Sequence, residues 1–488
     1  MRNISKVLLI LYIVFCSQII NAKIISVLDF GITEAKTDIE RFNILYRAHM
    51  KAVEDNCGIT YSGIKNLILE IPLNAVSIPL PKYTDFSNVE ITVRNNSKDF
   101  ILFFSEGVCH EINVRKKDID KGRFRSYKQL NRGSNLLIIE DTEPWVRQRR
   151  GHDYGAIRKD ILLLNNGRAI NKTVKPYNNK LSKPRCYYCK IGNDYLIVKN
   201  LTIRREEDSK KRTFCFSFSN HNNIVLSKIT VITPFSLLTG DRAIIVNNST
   251  NVIFEDVIIK GTYSKPDKFG YGIAMNNTWN VYFNRLDAYG DWGIFGTSNT
   301  NYCRIYNSTI NRFDIHCYGK DIYCSNTTFI DLYNQFSSFY GTLLFDNCEF
   351  NQFVPVLLEA SYYAYTFFEV IMKNCVVKVD PERPYLIRAG IPEPPEHIRE
   401  ELKSVSLPNV CLEDTEIILP NGVNTWSIFN VGAIPMPDID GINKVQLSNV
   451  RLNGSTVNNS VELSNRPINT INNIKKIVKE FDINLIEK

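Results

Sequence analysis

After its first 22 residues, the 488-residue sequence lacks any apolar run long enough to cross a lipid bilayer. It also lacks a basic block with interleaved aromatic residues, so nucleic acid is not expected as a partner. No acidic cluster has the pattern of a calcium site, and no second Cys or His pair follows Cys186 and Cys189 at metal-ligand spacing. The sequence therefore predicts no membrane span, no bound metal and no cofactor.

Residues 1–22 have the composition of a secretory signal peptide. Arg2 and Lys6 precede an apolar stretch from Val7 to Phe15, and the small-residue end at Asn21 and Ala22 suits a cleavage site. The apolar stretch is too short to span a membrane. The sequence thus predicts a protein that is secreted, or exported to a periplasm, after cleavage.

The net charge bears on the kind of binding partner, and the cysteine content bears on disulfide bonds. The formal net charge of +8 is mild for this length, so it fits an anionic polymer as ligand without requiring one. The twelve cysteines include Cys16 in the leader, which leaves an odd number in the exported chain. Several lie in apolar runs, where a thiol acts as a small hydrophobic group. For the close pair Cys186 and Cys189 we expect a local disulfide or no bond.

Short β-rich segments recur between Asp194 and Val377. Their starts lie 20 to 29 residues apart, and most are entered through or near Asn or Asp. The segments are residues 195–203, 223–231, 251–259, 280–288, 302–310, 322–329, 343–350 and 370–377. Such a period with strand-forming composition predicts a parallel β-solenoid over about Leu196 to Val377, with several short strands per rung and almost no helix.

An Asn or Asp recurs near the middle of these segments. Asn tolerates the left-handed backbone conformation of a tight bend between two strands. Stacked rungs can also place such side chains above one another, in a hydrogen-bonded ladder. The positions are Asn200, Asp256, Asn307, Asn326, Asn347 and Asn374.

Two helices are expected outside the repeat. Residues 37–40 read Thr-Asp-Ile-Glu, a capping box, and apolar residues then follow at helical spacing. This stripe consists of Phe42, Leu45, Tyr46, His49, Met50 and Val53. The helix is suited to cap the open end of a solenoid, with His49 packed inside. In the final segment, Ile471 to Lys488, similar spacing predicts a second helix over at least Asn473–Phe481.

The N-terminal region resembles that of the pectate-lyase-like superfamily. Residues 26–31 end in Asp-Phe-Gly, a helix starts at Thr37 and Asp38, and strand-like segments follow at 67–72 and 88–93. Residues 32–36 depart from the glycine-rich stretch that is usual after Asp-Phe-Gly. The resemblance implies a right-handed parallel β-helix and, for most enzymes of the superfamily, carbohydrate chemistry in a groove along one face. It does not choose among lyase, hydrolase and epimerase.

The expected fold class is therefore all-β, a right-handed parallel β-helix with an N-terminal capping helix and a loop-rich insertion. The expected divisions are a leader at 1–22, cap and first rungs at 23–123, the insertion at 124–190, the repeat core at 191–380, and C-terminal rungs and cap at 381–488. The insertion contains a stretch rich in Arg and aromatic residues. Its Arg149 and Tyr154 suit carboxylate pairing and sugar stacking, while a solvated lid fits the same composition equally well.

The densest group of chemically useful residues lies between Tyr289 and Asp321. In a strand, residues two apart share a face, so Arg312, Asp314 and His316 project together. Phe313 and Ile315 then face the core, and we expect the three polar residues to be accessible to solvent. Asp241, Arg242 and Glu359 are weaker candidates.

Each polar residue of this row has a use in proton abstraction from a uronic acid. His316 can move a proton, and Arg312 can pair with the uronate carboxylate. Asp314 can orient His316, or act as an acid or base itself if its pKa is raised. The row also resembles the Asp-x-His element of β-helix mannuronate C5-epimerases, although Ile315 replaces the Pro expected there. The expected substrate-binding residues are Asp291, Trp292, Tyr318, Arg149 and Tyr154.

Three functions fit these observations. The first is a lyase or epimerase that acts on a uronic acid, and the second is a glycoside hydrolase that uses Asp291 and Asp314 as paired carboxylates. The third is a non-catalytic carbohydrate-binding or adhesin solenoid. In each case the expected partner is a polysaccharide and the chain is expected to be a monomer.

Overall fold

The structure is a computed structural model. It describes residues 23–141, 158–173, 177, 182–206, 211–233, 240–261, 264–265, 268–290, 295–336, 339–359, 367–390, 407–423, 425–431, 445–453, 460–464 and 484–486. The predicted leader, 1–22, and the predicted helix Asn473–Phe481 lie outside these residues. No helix in the described ranges is long and apolar enough to cross a membrane.

The first part of the chain forms a 3₁₀-helix (Val27–Phe30), helix α1 (Asp38–Glu54) and six strands. The strands are β1 (Ile24–Ser26), β2 (Gly58–Thr60), β3 (Asn66–Glu70), β4 (Ile78–Pro79), β5 (Tyr83–Arg94) and β6 (Phe100–Glu106). The inserted part contains β7 (His110–Ile112), α2 (Lys116–Lys121), β8 (Ser134–Asp141), β9 (Arg158–Asn165), β10 (Arg168–Ala169) and β11 (Pro184–Ile191).

The repeat region contains strands alone. They are β12 (Leu196–Arg205), β13 (Thr213–Ser219), β14 (Asn222–Thr233), β15 (Arg242–Asn247), β16 (Thr250–Gly261), β17 (Ser264–Lys265), β18 (Lys268–Phe269), β19 (Tyr271–Tyr289), β20 (Phe295–Tyr306), β21 (Thr309–Ile310), β22 (Phe313–Cys317), β23 (Lys320–Ser325), β24 (Thr328–Phe336), β25 (Tyr340–Asp346), β26 (Glu349–Glu359), β27 (Phe367–Lys373) and β28 (Val376–Lys378).

The last part contains β29 (Tyr385–Gly390), β30 (Asn409–Glu413), β31 (Glu416–Ile418), β32 (Thr425–Val431), β33 (Val445–Ser448), β34 (Arg451–Asn453), β35 (Ser460–Ser464) and β36 (Asn484–Ile486). Strand β36 pairs in parallel with β35. Leu485, the last apolar residue of the spacing in this segment, therefore lies in a strand, beyond the predicted helix Asn473–Phe481.

These strands stack into three parallel ladders, which form the three faces of a coil. The first face contains β6, β13, β15, β22, β29 and β32, with the first part of β19 and β20 and the last part of β24 and β26. The second face contains the first part of β12, β14 and β16, the middle of β19 and the last part of β20, then β23, β25, β27 and β30. The third face contains the last part of β12, β14, β16 and β19 and the first part of β24 and β26, with β21, β28 and β31. A parallel β-helix is confirmed over the predicted Leu196–Val377 region.

Left-handed residues form the bend between the second and third faces. All six predicted Asn and Asp positions have positive φ, from 49° at Asn326 to 61° at Asn200. The amide of Asn347 donates to Asn326 at 2.7 Å, and that of Asn326 donates to Asn307 at 3.1 Å. The predicted Asn ladder is therefore present, because adjacent rungs bring identical side chains within hydrogen-bonding distance.

The corner between the first and second faces carries a second Asn ladder. Asn220, Asn248, Asn277 and Asn299 all have positive φ. Asn248 donates to Asn220 at 3.1 Å, Asn277 to Asn248 at 2.8 Å, and Asn299 to Asn277 at 3.0 Å. Each rung thus uses left-handed residues at two of its corners.

The core runs through the middle of the coil. In the second face, the inward positions of successive strands hold Leu226, Phe254, Phe283 and Ile305, all fully buried. The rings of Phe254 and Phe283 stack with centroids 4.5 Å apart. Burying one such side chain is worth about 1.5 to 3 kcal/mol, so every added rung stabilises the coil without widening it.

Helix α1 covers the N-terminal end of the coil, as predicted. Thr37 caps it by accepting a hydrogen bond from the Glu40 backbone N–H at 3.1 Å, whereas the Glu40 carboxylate accepts from Lys36 rather than from Thr37. His49 is fully buried and contacts the Pro79 carbonyl at 2.8 Å and the Tyr61 hydroxyl at 2.7 Å. The helix is rotated slightly from the predicted stripe, because its buried residues are Phe42, Ile44, Leu45, Ala48, His49 and Ala52, and Val53 is exposed.

The Asp-Phe-Gly segment follows the first strand rather than forming part of it. Strand β1 ends at Ser26, and the 3₁₀-helix that follows contains Asp29 and Phe30. Ser26 and Asp29 form a reciprocal capping box, and Gly31 ends the turn at φ 77°. Local side-chain capping therefore competes successfully with strand formation at this point.

The insertion is a folded unit with its own antiparallel sheet, whose strand order is β10-β9-β8-β11-β7. One side of the sheet carries its own small core. The other side packs on the β-helix, where Leu136, Ile138 and Ile161 cluster with Trp279. The described part of the expected loop-rich region is thus held together by pairing between strands far apart in sequence.

Candidate functional site

Strand β22 carries the predicted catalytic row. Its Phe313 and Ile315 lie in the core, in register with Phe295 and Thr297 of β20. Arg312 and Asp314 are therefore on the outer side of the first face, as the alternation predicted. His316 lies in the same strand, but its side chain is outside the described part of the structure.

The predicted exposure of Arg312 and Asp314 is wrong. Arg312 is 1% exposed and Asp314 is 0% exposed. The Arg312 guanidinium forms an ion pair with Oδ2 of Asp314 at 3.0 Å, and the Tyr271 hydroxyl donates to the same oxygen at 2.8 Å. Alternation decides which side of a strand a residue faces, but side chains from other rungs decide whether that side is covered.

The Arg312 guanidinium is held by strand β24. It donates to Gln335 at 2.6 Å and to the Tyr333 hydroxyl at 3.3 Å, and it lies 4.5 Å from the centroid of the Tyr333 ring. Hydrogen bonds and cation–π contact together offset the cost of removing the charge from water. Arg312, Asp314, Tyr271, Tyr333 and Gln335 form what we call the arginine cluster.

Gly296 makes this arrangement possible. It is the register partner of Asp314 in the preceding rung. A Cβ atom on Gly296 would lie 2.4 Å from a ring carbon of Tyr271. The absence of a side chain therefore lets the Tyr271 ring lie across the rung and reach Asp314.

Of the predicted substrate-binding residues, the structure describes Tyr318. Tyr318 lies at the corner after β22 with φ 56° and is 4% exposed, so it is a buried corner residue. Asp291, Trp292, Arg149 and Tyr154 lie outside the described residues. Of the weaker candidates, Asp241 is fully buried in an ion pair with Arg205 at 2.7 Å.

A different group of outward-facing residues lies on the second face. Tyr282, Tyr306 and Tyr323 belong to three successive rungs and are half-buried. The ring centroids of Tyr282 and Tyr306 are 5.3 Å apart, and those of Tyr306 and Tyr323 are 5.4 Å apart. We call these three residues the tyrosine row. It runs along the axis of the β-helix.

Arg304 lies beside the tyrosine row. It is in register with Tyr282 on one side and Tyr323 on the other, and it is exposed. One nitrogen of its guanidinium donates to the Asn280 side chain at 2.8 Å. The row therefore combines three apolar ring surfaces with a positive charge.

Burial raises the pKa values of the three phenols in the row, that of Tyr306 to about 12. The hydroxyl of Tyr323 donates to Asp346 at 3.4 Å. At physiological pH these side chains thus act as hydrogen-bond donors with apolar ring faces.

Carboxylates border the row at one end. Glu255 and Asp256 both pair with Arg285, which donates to Asp256 through a second nitrogen at 3.0 Å. Burial raises the pKa of Glu255, and this effect outweighs the nearby guanidinium. Both acids therefore pair with Arg285 rather than with Arg304.

The tyrosine row was not predicted from the sequence, although the repeat contains a signal for it. Aligning the segments at their core residues places Tyr282, Arg304 and Tyr323 at one outward position. Tyr306 falls two residues later, at the next outward position of the same rung. Rings at outward positions of consecutive rungs are recognisable only after the register of the rungs is fixed.

Within the described ranges, no three His, Cys, Asp or Glu side chains lie close enough together to hold a metal ion.

Searches with the sequence found no matching family model and no matching curated protein. Among solved structures, the chain is similar to the tailspike protein gp49 of Pseudomonas phage LKA1, at 10% identity and a TM-score of 0.49, over 90% of this chain and 82% of that one. It is also similar to the tailspike of Acinetobacter baumannii bacteriophage AP22, solved with a capsular saccharide, at 9% identity and a TM-score of 0.49, over 92% and 78% of the two chains. The chain has the right-handed parallel β-helix fold.

A third β-helix similarity is to the Family 28 exopolygalacturonase of Yersinia enterocolitica, at 12% identity and a TM-score of 0.38, over 94% of this chain and 79% of that chain. Identities and TM-scores this low assign no activity to the β-helix described here. Its function has to be argued from its own residues.

Proposed function

We propose that this protein is an exported polysaccharide-binding β-helix that holds its ligand along the tyrosine row. The observation that carries the proposal is the spacing of Tyr282, Tyr306 and Tyr323, whose neighbouring rings lie 5.3 and 5.4 Å apart along the helix axis. A linear glycan is a repeating chain of apolar ring faces and hydroxyl groups. Stacked rungs offer a matching series of aromatic faces and phenolic donors.

Arg304 favours an acidic glycan. A guanidinium binds a carboxylate in a bidentate geometry, and Arg304 is the exposed cation in the middle of the row. A uronic acid whose ring stacks on Tyr306 would place its carboxylate within reach of this group. The mild positive net charge of +8 supports the encounter with an anionic polymer.

A glycan panel tests this proposal. The full chain is titrated with uronic-acid polymers and with neutral polymers of similar length, and binding is followed by calorimetry. Uronic-acid polymers should bind more tightly, and raising the salt concentration should weaken their binding selectively. Arg304→Gln should remove the preference while leaving residual binding to the rings. No binding to any polymer of either group would refute the proposal.

A second candidate function is proton abstraction from a uronic acid by a lyase or epimerase at the Arg312, Asp314 and His316 row. The supporting observation is the contact between the Tyr271 hydroxyl and Asp314, which adds a phenol to the predicted set. In this proposal the buried Arg312–Asp314 pair acts as a positioning unit, and His316 is the proton-transfer residue.

Product formation separates these proposals. A lyase generates an unsaturated sugar that absorbs in the ultraviolet, and an epimerase changes the C5 configuration of the polymer. His316→Gln should abolish either product without abolishing binding, because the amide cannot titrate. Hydrolysis without unsaturation would instead favour paired carboxylates such as Asp291 and Asp314. Binding with no product from any polymer would favour the non-catalytic function.

A further inference from the structure

Cys109 and Cys189 lie opposite each other where the insertion joins the β-helix. Strands β7 and β11 are antiparallel, with Tyr188 paired to His110. Continuing this register by one residue places Cys189 directly across from Cys109. Directly opposed residues of an antiparallel pair have Cβ atoms about 4.5 to 5.5 Å apart, and a modest approach from there brings them within reach of a disulfide.

The two thiols are in contact. They share a hydrogen bond, which lowers the pKa of Cys109 and raises that of Cys189. Both belong to the cluster between the insertion sheet and Trp279, and the Cys189 thiol also lies 4.0 Å from the Asn248 carbonyl. Their side chains therefore point into one shared space.

The geometry excludes the local bond considered from the sequence. Cys186 and Cys189 are three residues apart in β11, so their side chains lie on opposite sides of the strand. Cys186 packs in the core of the insertion, whereas Cys189 packs against the β-helix. Cys189 thus has Cys109, and not Cys186, as its available partner.

We propose that Cys109 and Cys189 form a disulfide that ties the two ends of the insertion together. Cys109 follows β6, where the chain leaves the first face, and Cys189 precedes β12, where the chain returns to the helix. The bond would enclose the whole insertion in a covalent ring and hold its sheet on Trp279. It is independent of the proposed glycan binding.

The chemistry requires an oxidant, which we take to be a small disulfide such as oxidised glutathione. The half-exposed Cys109 thiolate attacks it, forms a mixed disulfide and releases one glutathione thiolate. The buried Cys189 then loses its proton, attacks the Cys109 sulfur and releases the second glutathione. The protein is oxidised by two electrons and the oxidant is reduced to two thiols. An export route would supply such an environment.

Peptide mapping of the full chain tests the proposal. The reduced protein is incubated with oxidised glutathione, its free thiols are alkylated under denaturing conditions, and the digest is analysed by mass spectrometry. We expect a linked peptide pair containing Cys109 and Cys189, with Cys186 alkylated. Cys348 and Cys375 provide an internal control, because they lie in adjacent rungs but are both buried in the helix core.

Several results would overturn the proposal. They are a stable glutathione adduct on Cys109 in the unmutated chain, a bond between Cys348 and Cys375 with Cys109 still free, or no linked peptide at high oxidant.

Cys109→Ser and Cys189→Ser should each prevent the bond, while Cys186→Ser should not. Oxidation should also slow protease cleavage within the insertion several-fold in the unmutated chain, a result that does not depend on any variant folding.

Discussion

At the scale of single residues, Arg312 and Asp314 are best explained as a buried ion pair within the first face. Both are almost completely removed from solvent, and their partners come from the next rung, through Gln335, and from two rungs earlier, through Tyr271. Such a pair is costly to form but more costly to break, since one removed partner leaves a buried charge behind. The polarity pattern alone could not distinguish this arrangement from an open groove.

We therefore predict that Asp314→Ala destabilises the protein by about 3 to 5 kcal/mol, because Arg312 loses its buried carboxylate. The free energy of unfolding is measured by urea titration. The double variant Arg312→Met/Asp314→Leu should lose less than the sum of its single changes. A near-zero effect of Asp314→Ala would mean that the pair is solvated.

The tyrosine row gives a second prediction at this scale. Tyr306→Ala should weaken glycan binding about threefold to tenfold, because it removes the middle ring of the three. Tyr289→Ala is the matched control, since Tyr289 is a half-buried tyrosine on the third face, beside Lys260. Calorimetry on the same polymer compares them. Equal losses in both variants would place the ligand elsewhere.

The buried His49 makes the stability of the folded protein depend on pH. Burial lowers its pKa from 6.5 to about 4, so the folded protein holds it neutral while the unfolded chain takes up a proton. This pKa shift does not lower the free energy of unfolding above pH 6.5, where His49 is neutral in both states. As the pH falls from 6.5 toward 4, the free energy of unfolding decreases by about 3 kcal/mol in total. His221, whose pKa burial also lowers to about 4, acts in the same direction.

We accordingly expect the free energy of unfolding to fall between pH 6.5 and pH 4.5, before most carboxylates titrate. His49→Gln should have lower stability throughout this range but a shallower slope. Urea titrations at the two pH values measure both quantities. An unchanged slope in the variant would assign the pH dependence to other groups.

At the scale of elements, the Asn bends determine where each rung turns. Asn347 combines a left-handed backbone with hydrogen bonds to the rung before it. The same position holds Lys228 in one rung and Arg285 in another, both with positive φ. A non-Asn residue is thus tolerated when neighbouring rungs already fix the bend.

Variants of Asn347 separate the contribution of the left-handed backbone from that of the amide hydrogen bond. Asn347→Gly keeps the backbone free to turn and loses only the amide, so it should cost less than about 1 kcal/mol. Asn347→Val adds the strain of a β-branched residue in the left-handed region and should cost about 1 to 2 kcal/mol more. Thermal unfolding of both variants tests the order. Equal stabilities would mean that the bend is not strained.

At the scale of the whole molecule, an open β-helix exposes strand edges and core at its ends. Helix α1 covers the N-terminal end through residues such as Leu45, which is fully buried. We predict that Leu45→Asp causes self-association, because the first rung is uncovered. Val53→Asp is the control on the same helix, since Val53 is 42% exposed. Size-exclusion chromatography should show larger species for the first variant alone.

Some features were decided by the sequence itself. The spacing of the repeats, the Asn positions, the cap at Thr37 and the buried His49 are local or periodic properties, so each could be predicted without coordinates. Backbone preference and alternation fix them before any distant contact forms. For the same reason the inward positions of Phe313 and Ile315 were predicted correctly.

Other features were decided only by the tertiary structure. The cover over Arg312 and Asp314 comes from Tyr271 and Gln335, which the chain brings together only when the rungs are in register. The tyrosine row, the sheet of the insertion and the Cys109–Cys189 pair likewise depend on residues far apart in sequence. Long-range register between rungs determines which outward residues are exposed, and no local pattern in the chain encodes it.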